Sequence, residues 1–241
     1  MATISYDSIF KIQQCEERYL DGYYSKSFIE QTILPIAAQN NHYFSDDILY
    51  PEHLKDKYDI TEDPYDEVID YKSLHQYTKY FVEAKYDPFV YGMRNHPGPL
   101  STETYIIQQD LLKFFDKGYI TQDSEPGVLF KTNYNQTGYS ILRPYVFLIG
   151  EKTKINKMYE MIAHHSMLSA IDYEVDTHID SLFNMFTEIS LEQEQYMRNN
   201  YTFGFFGTRL PTQDDMEKDL YKSYFEYILS NKFFQDLLEI A

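Results

Sequence analysis

Tryptophan is absent, cysteine occurs once, and cations are scarce: 21 Lys and Arg face 38 Asp and Glu, a formal net charge of −17 in 241 residues. Each shortage excludes something. With Cys15 alone no internal disulfide can form, so the core must hold the fold, and a reducing cytoplasm is the expected setting. So negative a surface is repelled by phosphate backbones and anionic lipid, which argues against direct binding to nucleic acid or a membrane. No run approaches the roughly 18 apolar residues needed to cross a bilayer. The segment MATISYDSIFKIQQCEERYL carries early acids and no apolar stretch, unlike a secretory leader. G-x-S-x-G, P-loop, H-E-x-x-H and C-x-x-C patterns are all missing. No catalytic residue and no cofactor is therefore expected, and Cys15, in a helical pattern, reads as a small core residue.

What is plentiful is aromatic. Twenty-five Tyr and 17 Phe supply apolar rings, and the Tyr tips suit half-buried edges and contact surfaces. An AT-rich genome gives the same enrichment without any function. At 43% hydrophobic the chain can bury a sizeable core. The expected fold is α+β, a single small mixed or antiparallel sheet with packed helices. Residues 1–90 form a mainly helical region with an acidic loop, and residues 91–241 form the α+β core of what is one globular unit overall.

Helical spacing is found in SYDSIFKIQQCEERYL, in SFIEQTILPIAAQNN from Ser27, and in DEVIDYKSLHQYTKYFVEAK. Pro35 predicts a break or kink in the second. STETYIIQQDLLKFFDKG is the clearest helix, with Ser101 as N-cap, Ile107, Leu111 and Phe115 as the buried stripe and Gly118 as the left-handed stop. GYIT, VLFKT and GYSILRPYVFLIG read as strands, with Pro144 predicting a bulge or an edge in the last. TKINKMYEMIAHH is a helix with Ile155, Met158 and Ile162 inward, and His164 and His165 at its end suit the helix dipole. SAIDYEVDTHID is a strand. Further helices are expected in LFNMFTEISLEQEQYMRNN, DDMEKDLYKSYFEYILSN and KFFQDLLEI. YTFGFFG is a hinge or strand, and Arg209 after it is a weak phosphate candidate beside Gly204 and Gly207.

The acids are clustered. Residues 46–70 hold ten acids, among them Asp46, Asp47, Asp56, Asp59, Asp63, Asp66, Glu67 and Asp70, against Lys55 and Lys57. Pro51 and Pro64 mark this block as an exposed loop. In IDYEVDTHID, Ile171 to Asp180, apolar and polar residues alternate, which puts Asp172, Glu174, Asp176, His178 and Asp180 on one side of a strand. Three readings are open: a wet sheet face, a metal site, and a mimic of a nucleic-acid backbone. A divalent ion needs ligands within about 2–2.6 Å, whereas alternate strand residues are roughly 6.6–6.8 Å apart, so at most two neighbours serve one ion. His178, Asp176 and Asp180 are the metal candidates, with His164 or His165 as outside help. Phosphates of one DNA strand repeat at about 3.4 Å, half the carboxylate interval, a loose match. DITEDPYDEVID places acids at EF-hand positions, but Pro64 stands where the loop needs Gly and Asp70 where it needs Glu.

Gly118, Tyr119, Ile120 and Thr121, followed by Ser124, Glu125, Pro126 and Gly127, resemble a pattern in an uncharacterised protein family of giant viruses and bacteriophages. Gly98-Pro99-Leu100 upstream and Arg143 before a strand fit the same pattern, over residues 95–175, with Glu125 where the family has Gln. The resemblance implies a viral origin and no particular chemistry. From the residues themselves, TQDSEPG reads as a turn. Beside a helix end it could offer backbone N–H groups to an anion, with Thr121, Ser124 and Arg143 as ligands.

The leading expectation is a non-enzymatic, cytoplasmic, acidic protein that occupies a basic surface of a host protein such as a nuclease or defence effector. The alternative is a small-molecule or nucleotide-binding protein with metal-dependent hydrolase activity around Thr121, Ser124, Arg143 and the 172–180 strand. A virion or assembly component is a third.

Overall fold

A computed structural model describes residues 4–5, 26–45, 69–83, 103–132, 138–172, 189–210 and 218–241. Strand β1 is Ile4–Ser5. Helix α1 is a composite of Lys26–Phe28, a wide π turn at Ile29–Ile33, and Leu34–Gln39. The break predicted at Pro35 takes that form. Proline has no N–H to donate, and its ring collides with the carbonyl four residues back; widening the turn moves that carbonyl aside, and Leu34 N–H bonds Ile29 instead. The helix ends at Asn41, which takes a left-handed φ of 62°, while His42 N–H reaches back to the Ala37 carbonyl at 2.7 Å. Strand β2, Tyr43–Ser45, follows at once.

Helix α2, Tyr71–Val82, buries Leu74, Thr78, Phe81 and Val82. A 3-10 turn at Thr104–Ile106 leads into α3, Gln108–Asp116, so the helical hydrogen bonding begins later than the Ser101 cap implied, and Ser101 itself lies outside the described residues. Ile107, Leu111 and Phe115 are buried as the spacing predicts, joined by Phe114. Gly118, at φ +87°, stops α3. Tyr119 N–H bonds Phe114 and Gly118 N–H bonds Phe115, the same cap geometry that ends α1. Both helices thus pass straight into strands.

Those strands are β3 (Ile120–Glu125), β4 (Val128–Thr132), β5 (Gly138–Leu142) and β6 (Tyr145–Glu151). Helix α4, Lys152–Ile162, buries Ile155, Met158 and Ile162 as expected. It is followed by β7 (Leu168–Asp172), α5 (Leu191–Asn200) and β8 (Tyr201–Thr208). Helices α6 (Lys218–Ile228) and α7 (Lys232–Ile240) complete the described order. The expected α+β class is found, with strands both parallel and antiparallel. They form two sheets rather than one: β1-β7-β8-β6-β3 and β2-β4-β5. Parallel pairs are β1 with β7 and β2 with β4; the others are antiparallel.

The GYSILRPYVFLIG run is therefore not one strand. It breaks at Arg143-Pro144, where the chain leaves the small sheet and enters the large one between β8 and β3. Proline at the break forfeits no ladder bond. The reverse crossing is at Pro126-Gly127, between β3 and β4. There a Cβ on Gly127 would stand 1.5 Å from the Ile228 carbonyl oxygen and 3.0 Å from Pro144 Cδ. One core then runs through the described parts. Ile29, Ile33 and Leu74 from the helical region share it with Leu148, Phe206, Phe233 and Phe234.

Gly127→Ala is expected to cost about 3 kcal/mol or more, because backbone rather than a movable side chain blocks the new methyl. Gly118→Ala has open space, with only Lys154 Nζ at 3.5 Å, and should cost the left-handed penalty of about 1–2 kcal/mol. Urea unfolding of the two variants checks the order.

Candidate functional site

Asp46, Asp47, Asp56, Asp59, Asp63, Asp66, Glu67, Glu174, Asp176, His178 and Asp180 lie outside the described residues, as do Cys15 and the first predicted helix. Of the alternating row only its beginning is described. Ile171 is buried, and Asp172 closes β7, paired in register with Ser5. Asp70 is described, and its work is local. Its carboxylate accepts Ser73 N–H at 2.7 Å and Ser73 Oγ at 2.8 Å as the N-cap of α2. The Ser73 N–H holds its pKa below the usual carboxylate range. Asp70, exposed at the start of α2, is a capping residue with Ser73 three positions on. Asp70→Ala should lower stability by about 1 kcal/mol and Asp70→Asn by less, read by thermal unfolding.

Charge is uneven along the chain: residues 46–68 hold nine acids against two lysines. Within the described part several acids are paired: Asp116 with Lys79 at 2.6 Å, Asp110 with Lys113 at 2.8 Å, and Glu194 with Arg198 at 2.7 Å.

The Thr121–Gly127 stretch is not a free turn. Residues 120–125 are an edge strand of the large sheet, with a register shift between Thr121 and Asp123, so only Pro126-Gly127 turns. Thr121 is buried, and Ser124 half-buried, on the face they share with Leu148 and Val146. Arg143 is buried too, but its Nη1 donates to the Thr208 carbonyl at 2.9 Å, on the opposite flank of β6. From Arg143 to Leu148, the partner of Thr121, is about 16 Å of extended chain. These three side chains do not converge. Nor is the neighbourhood suited to an anion. Gly127 lies against the last carbonyl of α6, the negative end of a helix, and acids surround the strand end.

Glu125 is the most perturbed of these acids. Its Oε1 is buried with no hydrogen-bond partner. Burial, with Glu103 and Asp123 adding negative charge, pushes its carboxyl up to about 9. Asp123 is also raised, burial first, while Tyr145 Oη donates to it at 3.2 Å. It stays largely exposed at the sheet edge, so the dominant effect is at Glu125. A carboxyl protonated at neutral pH resembles the amide of Gln in shape and charge. The sign follows from the raised folded value. Stability is fully present below the unfolded pKa near 4.5 and is lost as pH climbs toward 9. Glu125→Gln should therefore raise the melting temperature at about pH 8 and leave it unchanged near pH 4, measured by calorimetry.

Among the described residues no group of three or more His, Cys, Asp or Glu could hold a metal ion. Among the described residues three imidazoles, of His42, His75 and His165, are engaged structurally. His165 Nδ1 accepts the N–H groups of Met167 and Leu168, so it caps the loop into β7 rather than serving the helix dipole as expected, and Nε2 faces Asp236 at 3.6 Å. His75 Nε2 bonds the Phe115 carbonyl at 2.9 Å. Arg209, a phosphate candidate by sequence, gives Nε to Ser166 and Nη1 to Leu210 carbonyls. A group that sequence reasoning missed is His42 with Asn231. Nothing local singles them out, for they are 189 residues apart and bonded at 3.0 Å.

The chain matches no family model and no curated protein. No helix among the described residues is long and apolar enough to cross a membrane.

Proposed function

We propose that this is a non-enzymatic acidic binding protein of viral or phage origin that occupies a basic surface of a host protein. Nuclease and defence-effector grooves that normally receive nucleic acid are the class of partner. What supports the reading is the clustering of charge along the sequence, in a chain of formal net charge −17. Acids spread merely for solubility would follow chain length. Here they are concentrated in residues 46–68, where nine acids meet two lysines. A dense array of carboxylates draws a cationic groove by the same long-range attraction that draws phosphates, and salt weakens both. His75, His165, Arg143 and Arg209 bond backbone groups, as described above. The hydrolase reading loses its support among the described residues, since Thr121, Ser124 and Arg143 stand apart.

The test uses the heparin-binding fraction of a bacterial lysate, which is rich in basic nucleic-acid-binding proteins, over the immobilised full chain. A partner retained at about 50 mM salt should elute well below 1 M, because screening lengths shrink from roughly 14 to 3 Å. Duplex DNA should compete with it. Converting Asp56, Asp59, Asp63, Asp66 and Glu67 to their amides should abolish retention. Capture indifferent to salt, DNA and these substitutions refutes the proposal.

A further inference from the structure

His42 is the first residue past the α1 stop and only 2% exposed. Both of its ring nitrogens meet hydrogen-bond acceptors. Nδ1 faces the Gly127 carbonyl, and Nε2 lies 3.0 Å from Asn231 Oδ1. Turning the Asn231 amide over does not relieve this. Its Nδ2 donates to the Ile106 carbonyl at 3.0 Å, so a flip would set oxygen against oxygen there.

The sequence Gly127–His42–Asn231–Ile106 thus has three links and a carbonyl at each end. A neutral imidazole carries one N–H, and each side of an amide is either donor or acceptor. Every arrangement of the neutral pair leaves one link unmade. A second ring proton makes all three. We infer that His42 is a proton-operated latch between the small sheet and the α6–α7 corner, one link open when its ring is neutral and closed when it takes the second proton. The latch is tied to the small sheet by backbone: Leu129 N–H bonds the His42 carbonyl at 2.9 Å, anchoring it to β4.

Burial opposes the charge and is the largest influence, so the ring titrates below the ordinary histidine range; the bonds to Gly127 and Asn231 pull the other way. The sign follows. As pH falls through about 6.5 the unfolded chain protonates first, and the native state loses stability until His42 itself charges and the third link forms. Titratable or charged residues on the surrounding elements are Tyr43 in β2, Glu103 and Tyr105 at the 3-10 turn, Glu125 before the Pro126-Gly127 turn, Lys131 in β4 and Lys232 beside Asn231. None of them is among the influences on the His42 proton, which are burial and the two bonds.

Long-range proton–nitrogen NMR of the histidine rings between about pH 4 and 8 tests this on the full chain, with the Asn231 side-chain amide followed in the same samples. Both His42 nitrogens should move together to imidazolium positions, and the Asn231 amide should shift with the same midpoint. Asn231→Asp, which presents a carboxylate to the ring, should raise that midpoint by about one unit or more. Asn231→Ala, which removes an acceptor, should lower it. A ring that keeps one neutral tautomer until acid unfolding in the wild type and in Asn231→Asp alike overturns the latch. So does an Asn231 amide that ignores the titration.

Discussion

The fold depends on a close approach. The chain crosses between its two sheets twice, at Pro126-Gly127 and at Arg143-Pro144, and the two crossings lie against each other under the last carbonyl of α6. Only a residue without a side chain fits at 127, since any Cβ would occupy the Ile228 oxygen. This approach lets β3 close the edge of one sheet while β4 begins the middle of the other. It also brings the Gly127 carbonyl to His42, and through His42 and Asn231 fastens the helical corner to the small sheet. Widely separated parts of the chain therefore share one junction, and interiors packed at crystal-like density pass a change there to everything around it.

Much of this was legible where the signal is local. Spacing placed Ile155, Met158 and Ile162 inward in α4, and Gly118 after a basic last turn marked the α3 stop. Pro35 and Pro144 each announced an interruption. What the residues alone could not show is what an interruption does. Pro35 is accommodated by a wider helical turn, whereas Pro144 marks a change of sheet, and the difference lies in partners far along the chain. TQDSE read as a turn because Asp and Ser favour turns, yet pairing with Tyr145–Ile149 overrode that preference and made it a strand. Asp70 was legible as an acid, but its role was fixed by Ser73 three residues on. His42 and Asn231 were invisible to any windowed reading.

The ion pairs of the described residues are partly exposed: Lys79 with Asp116, and exposed Lys113 with buried Asp110. Such pairs contribute about 0–1 kcal/mol each, so packing of Phe, Tyr, Leu and Ile must supply the stability. Like charges as dense as those in residues 46–68 repel one another unless cations meet them.

The two unusual protons of the core flank the same crossing, one on each side, and act on stability in opposite directions. Glu125 prefers its proton in the folded state, so stability rises as pH falls from about 9. His42 resists its second proton, so stability falls as pH drops below about 6.5. Between these limits only Glu125 acts, and the native state gains as the solution becomes less alkaline. Below 6.5 the two slopes oppose, one proton against one, until His42 takes its own second proton or Glu125 is protonated in both states. The junction is therefore less sensitive to pH just below 6.5, and most sensitive between about 6.5 and 9, where the folded state keeps the Glu125 proton that the unfolded chain has lost.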